Sequence, residues 1–273
     1  MKTLCVEKKI ALLIPTIDTE LAYFSANKNW YETHGVRLNI SGPETIQLAR
    51  DKFAFHNFLS ANHFPTPRTG SAAECAAGGA KETASAPPLP VIFKPKDGSR
   101  SLGIFRANTA AEVDAILQNP PPDFAQKHIW QELWRGREFT INFFVGRDGH
   151  CRCAVPHERI EVRDGEVSKA ATRRLPALEK TVREMAQTLP NAFGALCAQA
   201  IVRDDGSFAL FELNARFGGG YPLADNAGAP FAQWLIEDAL GLPSTINDNW
   251  AENRCMLRFD DAVFCEIPPR PER

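Results

Sequence analysis

Residues 197–214 read CAQAIVRDDGSFALFELN, two apolar stretches on either side of the turn sequence Asp204-Asp205-Gly206-Ser207. Such a pattern predicts a β-hairpin. A hairpin centred between Asp205 and Gly206 pairs residues whose numbers sum to 411, whether its loop holds two residues or four. Upstream, the stretches 138–145 and 150–155 flank a second glycine turn, so hairpins follow one another from about residue 129 onward.

Three oxygen-bearing side chains come together in this register. Gln199 lies opposite Glu212, and because side chains alternate along a strand, Glu212 and Asn214 share the face that Gln199 joins. A carboxylate with two amide oxygens suits Mg²⁺, which keeps several waters and bridges nucleotide phosphates. The alternative is that a strand simply ends in solvent here, where Glu and Asn are common residues.

A second group of residues surrounds Lys94, at the end of the apolar stretch 91–94. A flexible loop containing Gly98 and Gly103 follows, and its amides and hydroxyls could close over phosphates. The segment is not a P-loop, because Ile104-Phe105 replaces the Lys-Ser/Thr of that motif. The alternative is an ordinary hairpin loop. A third group, Glu132 and Glu138 on either side of a turn at Gly136, is weak when taken alone.

The first part of the chain has a β-α-β-α pattern, with strands at 10–14 and 36–40 and helices at about 18–34 and 43–62. Two strands make a poor sheet on their own. Pro65-Thr-Pro67 marks a boundary, and residues 70–90 predict a loosely ordered connection with one short helix. The predicted domains are therefore an N-terminal α/β segment at 1–65, a small lobe at 66–130 and a large lobe at 131–273.

Composition excludes several classes of protein. The chain has 273 residues, of which 44% are hydrophobic and 23% charged, with a formal net charge of −2. These values indicate a globular protein without a global charge that would hold nucleic acid, and no apolar run is long enough for a membrane span. Seven cysteines without framework spacing predict buried or half-buried thiols in a reducing compartment, so we expect a cytoplasmic protein.

Taken together and in this order, these segments resemble the ATP-grasp superfamily, in particular its carbamoyl-phosphate-synthase-like carboxylate–amine ligases. The likeness runs from about residue 10 to residue 266. It is carried by Pro15-Thr-Ile-Asp18-Thr-Glu20, Asp51-Lys52 with Pro65-Thr-Pro67, the segment from Lys94 to Gly103, the segment from Gln131 to Glu138, Gln199, and the segment from Phe211 to Gly220. The resemblance implies an α+β fold in which two lobes clamp ATP, preceded by a shortened α/β segment.

The resemblance also implies roles for the residues that bind nucleotide. Lys52 and Lys94 would hold the phosphates, Glu132 and the backbone of Leu133 would meet the adenine edge, and Glu138 would bind the ribose hydroxyls. The loop from Asp97 to Gly103, which contains Gly98, would form the lid over the β- and γ-phosphates, and its residues Ser99, Arg100 and Ser101 would take part in catalysis.

For catalysis, the resemblance gives Gln199, Glu212 and Asn214 as ligands of Mg²⁺ or Mn²⁺. Arg216 would face the transferred phosphoryl group, and Lys169 aligns loosely with a substrate-side segment. The implied reaction joins a small-molecule carboxylate to an amine through an acyl phosphate, with ADP and phosphate as products.

Two other functions remain open from the sequence. One is a carbamoyl-phosphate-synthase-like phosphorylating enzyme, and the other is a non-catalytic regulator that binds ATP. Relatives carry a fuller N-terminal domain, so the edge of the strand at 10–14 would be exposed. We therefore expect a homodimer in which a second subunit covers that edge.

Overall fold

The computed structural model describes residues 1–78, 87–98 and 103–266. Its helices are α1 (Lys2–Glu7), α2 (Asp18–Ala26), α3 (Lys28–Thr33), α4 (Pro43–Arg50), α5 (Lys52–Ala61), α6 (Ala72–Gly78), α7 (Ala110–Gln118), α8 (Phe124–Lys127), α9 (Pro176–Thr188), α10 (Tyr221–Asn226) and α11 (Phe231–Leu240). Its strands are β1 (Leu12–Leu13), β2 (Arg37–Leu38), β3 (Thr69–Ser71), β4 (Val91–Pro95), β5 (Phe105–Ala107), β6 (His128–Glu132), β7 (Arg137–Val145), β8 (Cys151–Arg163), β9 (Glu166–Thr172), β10 (Gly194–Val202), β11 (Phe208–Asn214) and β12 (Cys255–Leu257).

The N-terminal segment begins with α1, which was not predicted, and then has the predicted β-α-β-α order, but each predicted helix is divided in two. Strands β1 and β2 pair in parallel over only two residues each. The second helix breaks at Asp51, whose backbone is extended and whose carboxylate accepts hydrogen bonds from the N–H groups of Phe53 and Ala54. This N-cap makes Lys52 the first residue of α5 and so fixes the direction in which its side chain leaves the helix.

The small sheet has the order β3-β6-β4-β5 and is antiparallel throughout. The stretch expected to be loosely ordered contains β3 and α6, and its remainder at 79–86 lies outside the described residues. Strand β5 begins at Phe105 rather than Gly103. On the apolar side of this sheet, Val91, Phe93 and Trp130 pack against α6, α7 and α8.

The large sheet has the order β11-β10-β7-β8-β9-β12. Along β7, Phe139, Ile141 and Phe143 lie on the face that packs against the N-terminal helices and α9. The alternate positions Thr140 and Asn142 therefore lie on the opposite face. On this opposite face the side chains near β11 are polar, whereas the side chains beneath α10 and α11 are apolar.

The β10–β11 hairpin pairs Gln199 with Glu212, as predicted, but its register is not uniform. Partners sum to 411 from Cys197 to Gln199 and to 410 from Ala200 onward, because β11 contains a bulge at Phe211. The turn is a three-residue loop: the N–H of Arg203 donates to the carbonyl of Ser207, and Gly206 has φ +83°. A positive φ at the last loop residue is typical of three-residue hairpins with glycine there.

Five of the seven cysteines are buried, in agreement with the expectation from the sequence, and Cys255 and Cys265 are exposed. The expectation was wrong for these two because Cys255 lies on the edge strand β12 and Cys265 lies beyond that strand. None of the helices in residues 1–78, 87–98 and 103–266 has the length and hydropathy needed to cross a membrane.

The homodimer remains a prediction. Ile10 and Ile17, on either side of β1, are 37% and 59% exposed, and exposed apolar side chains favour association. We expect light scattering at micromolar concentration to give twice the mass of one chain, and a clean monomer would contradict a second subunit on this edge.

Candidate active site

The structure brings the three predicted metal ligands together at the end of the β10–β11 hairpin. Glu212 is the cross-strand partner of Gln199, and the amide of Asn214 donates to Glu212 Oε1 at 3.3 Å. Cys197, opposite Asn214, and Thr140, opposite Gln199, extend the same face into the sheet. The trio contains one carboxylate and two amides, so it could hold Mg²⁺ only together with phosphate oxygens and water. The described part of the chain contains no cluster of three His, Cys, Asp or Glu side chains able to bind a metal by themselves.

Lys94 links the small sheet to this trio. Its ammonium group is buried, donates to Gln131 Oε1 at 2.8 Å and lies 5.2 Å from the ring centroid of Phe211. Burial lowers the pKa of Lys94 to about 8, against the opposing charge of Glu212 and with a further lowering by Lys52. A cation that is desolvated in this way and has only partial compensation is prepared to receive an anion.

Lys52 lies on the other side of the loop that follows β4. Its ammonium group donates to the carbonyl of Gly98 at 2.8 Å, and its backbone N–H donates to the carbonyl of Lys96. Gly98 and Gly103 have φ values of +96° and +69°, which other residues adopt only with strain. Gly98 and Gly103, near the two ends of the predicted lid, therefore have backbone conformations that favour glycine. Its predicted catalytic residues Ser99, Arg100 and Ser101 lie outside the described residues.

The predicted adenine edge lies where β6 ends. The N–H groups of Glu132 and Leu133 donate to the carbonyls of Arg68 and Pro90 at 2.8 and 2.9 Å. Both amides are therefore used inside the protein. Only their carbonyl oxygens or the Glu132 carboxylate could therefore contact a base. That carboxylate is partly exposed and lies 4.0 Å from Arg203.

Glu138, the predicted ribose ligand, has a partner that the sequence analysis missed. Its Oε1 lies 2.8 Å from Nε of Arg159, whose other nitrogens reach Thr140 Oγ1 at 3.4 Å and the carbonyl of Gly165 at 3.1 Å. Arg159 is only 10% exposed and shares the polar face of the sheet. The predicted strand ended at Val155, whereas β8 continues to Arg163, and the longer strand carries Arg159 into the site.

Arg216 lies beside Gln199, Glu212 and Asn214, but its guanidinium already forms hydrogen bonds within the protein. Its Nε and Nη2 donate to the two carboxylate oxygens of Asp18 at 2.8 and 2.7 Å, and Nη2 also lies 3.4 Å from Asn214 Oδ1. Burial alone would lower the pKa of Arg216, but its hydrogen bonds to Asp18 and the charge of that carboxylate raise it. The guanidinium therefore stays positive and held in one orientation.

Lys169 is placed differently from the rest of the predicted set. It lies on β9, which β8, β7 and β10 separate from β11. Its ammonium group is about half exposed and pairs with Glu161 at 2.6 Å. The structure therefore does not bring Lys169 together with Glu212 and Arg216.

The glycines after Arg216 cross the polar face at close range. A Cβ on Gly220 would lie 2.5 Å from His157 Nε2, and a Cβ on Gly218 would lie 3.0 Å from Cys197 Sγ. Burial lowers the pKa of His157 to about 3, so the ring is neutral, and its Nδ1 lies 3.2 Å from the amide nitrogen of Asn142. Only glycine leaves room for the loop to lie this close to the sheet.

Comparison with known proteins decides the family. The model of the ATP-grasp domain matches residues 49–220, which is more than half of this chain. The chain belongs to the ATP-grasp family. Both sheets, the loop after β4 and the metal trio lie mainly within the matched segment, whereas α1 to α3, with Asp18, lie outside it.

Solved structures confirm the ATP-grasp fold. The biotin carboxylase domain of the 2-oxoglutarate carboxylase from Hydrogenobacter thermophilus, a dimer in complex with MgADP, ADP and bicarbonate, aligns with a TM-score of 0.75. It is 16% identical, and the alignment covers 93% of this chain and 59% of that one. An L-amino acid ligase from Bacillus licheniformis aligns with a TM-score of 0.63 and 16% identity, covering 89% of this chain and 59% of that one.

A curated relative adds a match in sequence. The D-alanine–D-alanine ligase of Streptomyces griseus is 26% identical over 144 residues, covering 46% of this chain and 35% of that protein. This ATP-grasp chain thus spans about a third of the length of the curated relative and about three fifths of the solved chains described above.

Proposed function

We propose that this ATP-grasp chain is an ATP-dependent ligase that joins a carboxylate to an amine through an acyl phosphate. The observation that carries the proposal is the convergence of Lys94, Glu212 and Arg216, one buried cation, one carboxylate and one oriented guanidinium, at the place where the two sheets meet. Two similar proteins, a D-alanine–D-alanine ligase and an L-amino acid ligase, support the same class of reaction.

The residues present fit a nucleotide with its metal. Gln199, Glu212 and Asn214 would hold Mg²⁺ or Mn²⁺ with the help of phosphate oxygens, and the ion would neutralise charge on the triphosphate. Lys94 would bind phosphate oxygens from the small sheet. Because Lys94 is buried and its charge is only partly compensated, a phosphate would restore the favourable interactions that burial removes.

The chemical step follows from charge. A carboxylate is a poor electrophile, so its oxygen first attacks the γ-phosphorus of ATP, and the bond from that phosphorus to the bridging oxygen breaks to release ADP. The amine then attacks the acyl carbon, a C–N bond forms, and phosphate leaves with the C–O bonding pair and takes up the proton that the amine nitrogen releases. Arg216 would stabilise negative charge on the phosphoryl group during the first step. The segment from Gly98 to Gly103 would exclude water, which otherwise hydrolyses the acyl phosphate.

The remaining predicted residues would set the nucleotide in place. Glu138, fixed by Arg159, would accept hydrogen bonds from the ribose hydroxyls. Lys52, at the first turn of α5, would approach the phosphates from the opposite side of the loop. We propose no contact for Lys169, because its partner Glu161 lies with it at the exposed end of the β8–β9 hairpin.

A phosphate-release screen tests the proposal. The protein is incubated with ATP, Mg²⁺ and pairs drawn from a panel of amino acids and amines, and free phosphate is measured. A ligase should release phosphate with some pair and form the corresponding amide in equal amount. Phosphate release that requires bicarbonate alone would favour the carbamoyl-phosphate-type enzyme, and ATP binding without turnover under any pair would favour the regulator.

Nucleotide binding should take up a proton near pH 8. The pKa of Lys94 in the free protein is lowered to about 8, and nucleotide phosphates favour the charged form, so binding raises it. Affinity should fall as the pH rises through 8, and about half a proton should be taken up at pH 8. Calorimetry of ADP binding in buffers of different ionisation enthalpy measures this uptake.

The control for this measurement is Lys94→Arg, which keeps its charge at every pH used. It should bind ADP without proton uptake. If the wild-type protein binds ADP with no proton uptake at any pH between about 7 and 10, Lys94 does not meet the phosphates.

A further inference from the structure

Asp18 lies 31 positions before the first residue of the segment matched by the ATP-grasp family, yet its side chain reaches the active site. It is the first residue in a continuous series of contacts: Asp18 binds Arg216, Arg216 contacts Asn214, and Asn214 donates to Glu212. The N-terminal segment is therefore in direct contact with the catalytic residues and not only with the back of the sheet.

The first turn of α2 holds Asp18 in a fixed place. Capping of this helix is done by Glu20, whose Oε1 accepts hydrogen bonds from the N–H groups of Thr16 and Ile17. The Asp18 carboxylate is thus left for a tertiary contact. Its backbone carbonyl accepts a hydrogen bond from Arg50, and the next turn of α2 is anchored in the core by Leu21.

The contact with Arg216 has a defined geometry. Asp18 takes the edge of the guanidinium formed by Nε and Nη2, and Nη1 donates to the carbonyl of Phe217 at 2.9 Å. A guanidinium held by two hydrogen bonds along one edge cannot rotate, so its Nη2 stays beside Asn214. A long side chain without such a partner would lose this orientation among several rotamers.

We propose that Asp18 is a positioning residue that orients Arg216 toward the γ-phosphoryl group of the nucleotide. This inference rests on the proposed function, because it assigns the target of Arg216. Asp18 itself touches neither the nucleotide nor the acceptor. Its effect should appear with ligands that carry a γ-phosphoryl group and should be absent with ADP.

The test compares the binding of ADP and of the non-hydrolysable analogue AMPPNP, both with Mg²⁺, in wild type and in Asp18→Asn. This substitution keeps the shape of the side chain and removes its charge. We expect AMPPNP affinity to fall roughly tenfold and ADP affinity to stay within about twofold. Arg216→Lys, which keeps the charge but cannot be held along two bonds, should show the same selective loss.

A matched control is Asp238→Asn. Arg147 and Asp238 form a second two-bond pair, at 2.6 Å for both contacts, between the β7–β8 turn and α11. Asp238→Asn removes the same kind of carboxylate charge at a place far from β11. The affinities for ADP and for AMPPNP should therefore remain unchanged. Melting temperatures of all variants show that they are folded.

A double-mutant cycle separates positioning from other effects. In an Arg216→Ala background, Asp18→Asn should cause no further loss of AMPPNP affinity, because Asp18 acts only through Arg216. An equal loss in that background, unchanged affinities in Asp18→Asn, or tighter AMPPNP binding would each overturn the proposal. The last result would mean that Asp18 competes with the phosphoryl group. If the wild-type protein binds neither nucleotide, it is the proposed function that fails, and the role of Asp18 with it.

Discussion

Replacement of Glu212 with Gln should lower the rate of phosphate release by about 10²-fold or more while the melting temperature changes by only a few degrees. Glu212 is the sole carboxylate among the three proposed metal ligands, and Gln has the same shape. The contact with Asn214 can be kept, so folding loses little. Catalysis loses the one anionic ligand for the ion.

The measurement is steady-state phosphate release as a function of Mg²⁺ concentration, with the carboxylate–amine pair found by the screen. We expect the concentration of Mg²⁺ needed for half-maximal rate to rise together with the fall in rate. Glu184→Gln, on the exposed side of α9, is the matched control and should leave both values unchanged. A Glu212→Gln variant with the wild-type rate and Mg²⁺ dependence would contradict the metal assignment.

Replacement of Lys94 with Met should weaken ATP binding by roughly 10²-fold and should not destabilise the free protein. The ammonium group of Lys94 is buried, and this desolvation lowers its pKa. Below pH 8 its charge therefore opposes folding, and this cost declines as the pH rises from the pKa in the folded state toward the usual value for lysine. Met removes the charge and fills a similar volume beside Phe211.

The readout is the melting temperature with and without ATP. A ligand present at 100 times its dissociation constant stabilises a protein by about 2.7 kcal/mol, and a hundredfold loss of affinity removes most of that shift. Lys127→Met, at an exposed lysine paired with Asp123, should keep the full shift. If the ATP-induced shift survives in Lys94→Met, this lysine has no role in phosphate binding.

The convergence of Gln199, Glu212 and Asn214 could be predicted from sequence, although the register of the whole hairpin could not. The predicted sum of 411 assumed a symmetrical turn, whereas the three-residue loop ending at Gly206 gives 410. A bulge at Phe211 adds one residue and restores 411 at Gln199 and Glu212. Apolar alternation does not show a bulge, because Phe211 is apolar like Ala209 and Leu210 before it. The prediction was right at the site because two departures from a regular hairpin cancel.

The helix breaks and the long-range ion pairs could not be predicted in the same way. Asp51 is an acceptable residue within a helix, and only its capping geometry shows that α5 begins after it. Asp18 and Arg216 are 198 positions apart, so their pairing depends on how the N-terminal segment packs against the large sheet. Arg159 was missed because the polar residues near the end of β8 resemble a loop, although they alternate between the two faces of a strand.

The packing of the N-terminal segment has a consequence for how the gene can be dissected. Leu21, Phe24 and Tyr31 belong to the same buried cluster as Phe139 and Phe143 of the large sheet. A fragment trimmed to the recognisable span 49–220 would expose those phenylalanines and discard the carboxylate that holds Arg216. The stretch by which the family is identified is therefore smaller than the smallest piece that could be expressed as a working protein.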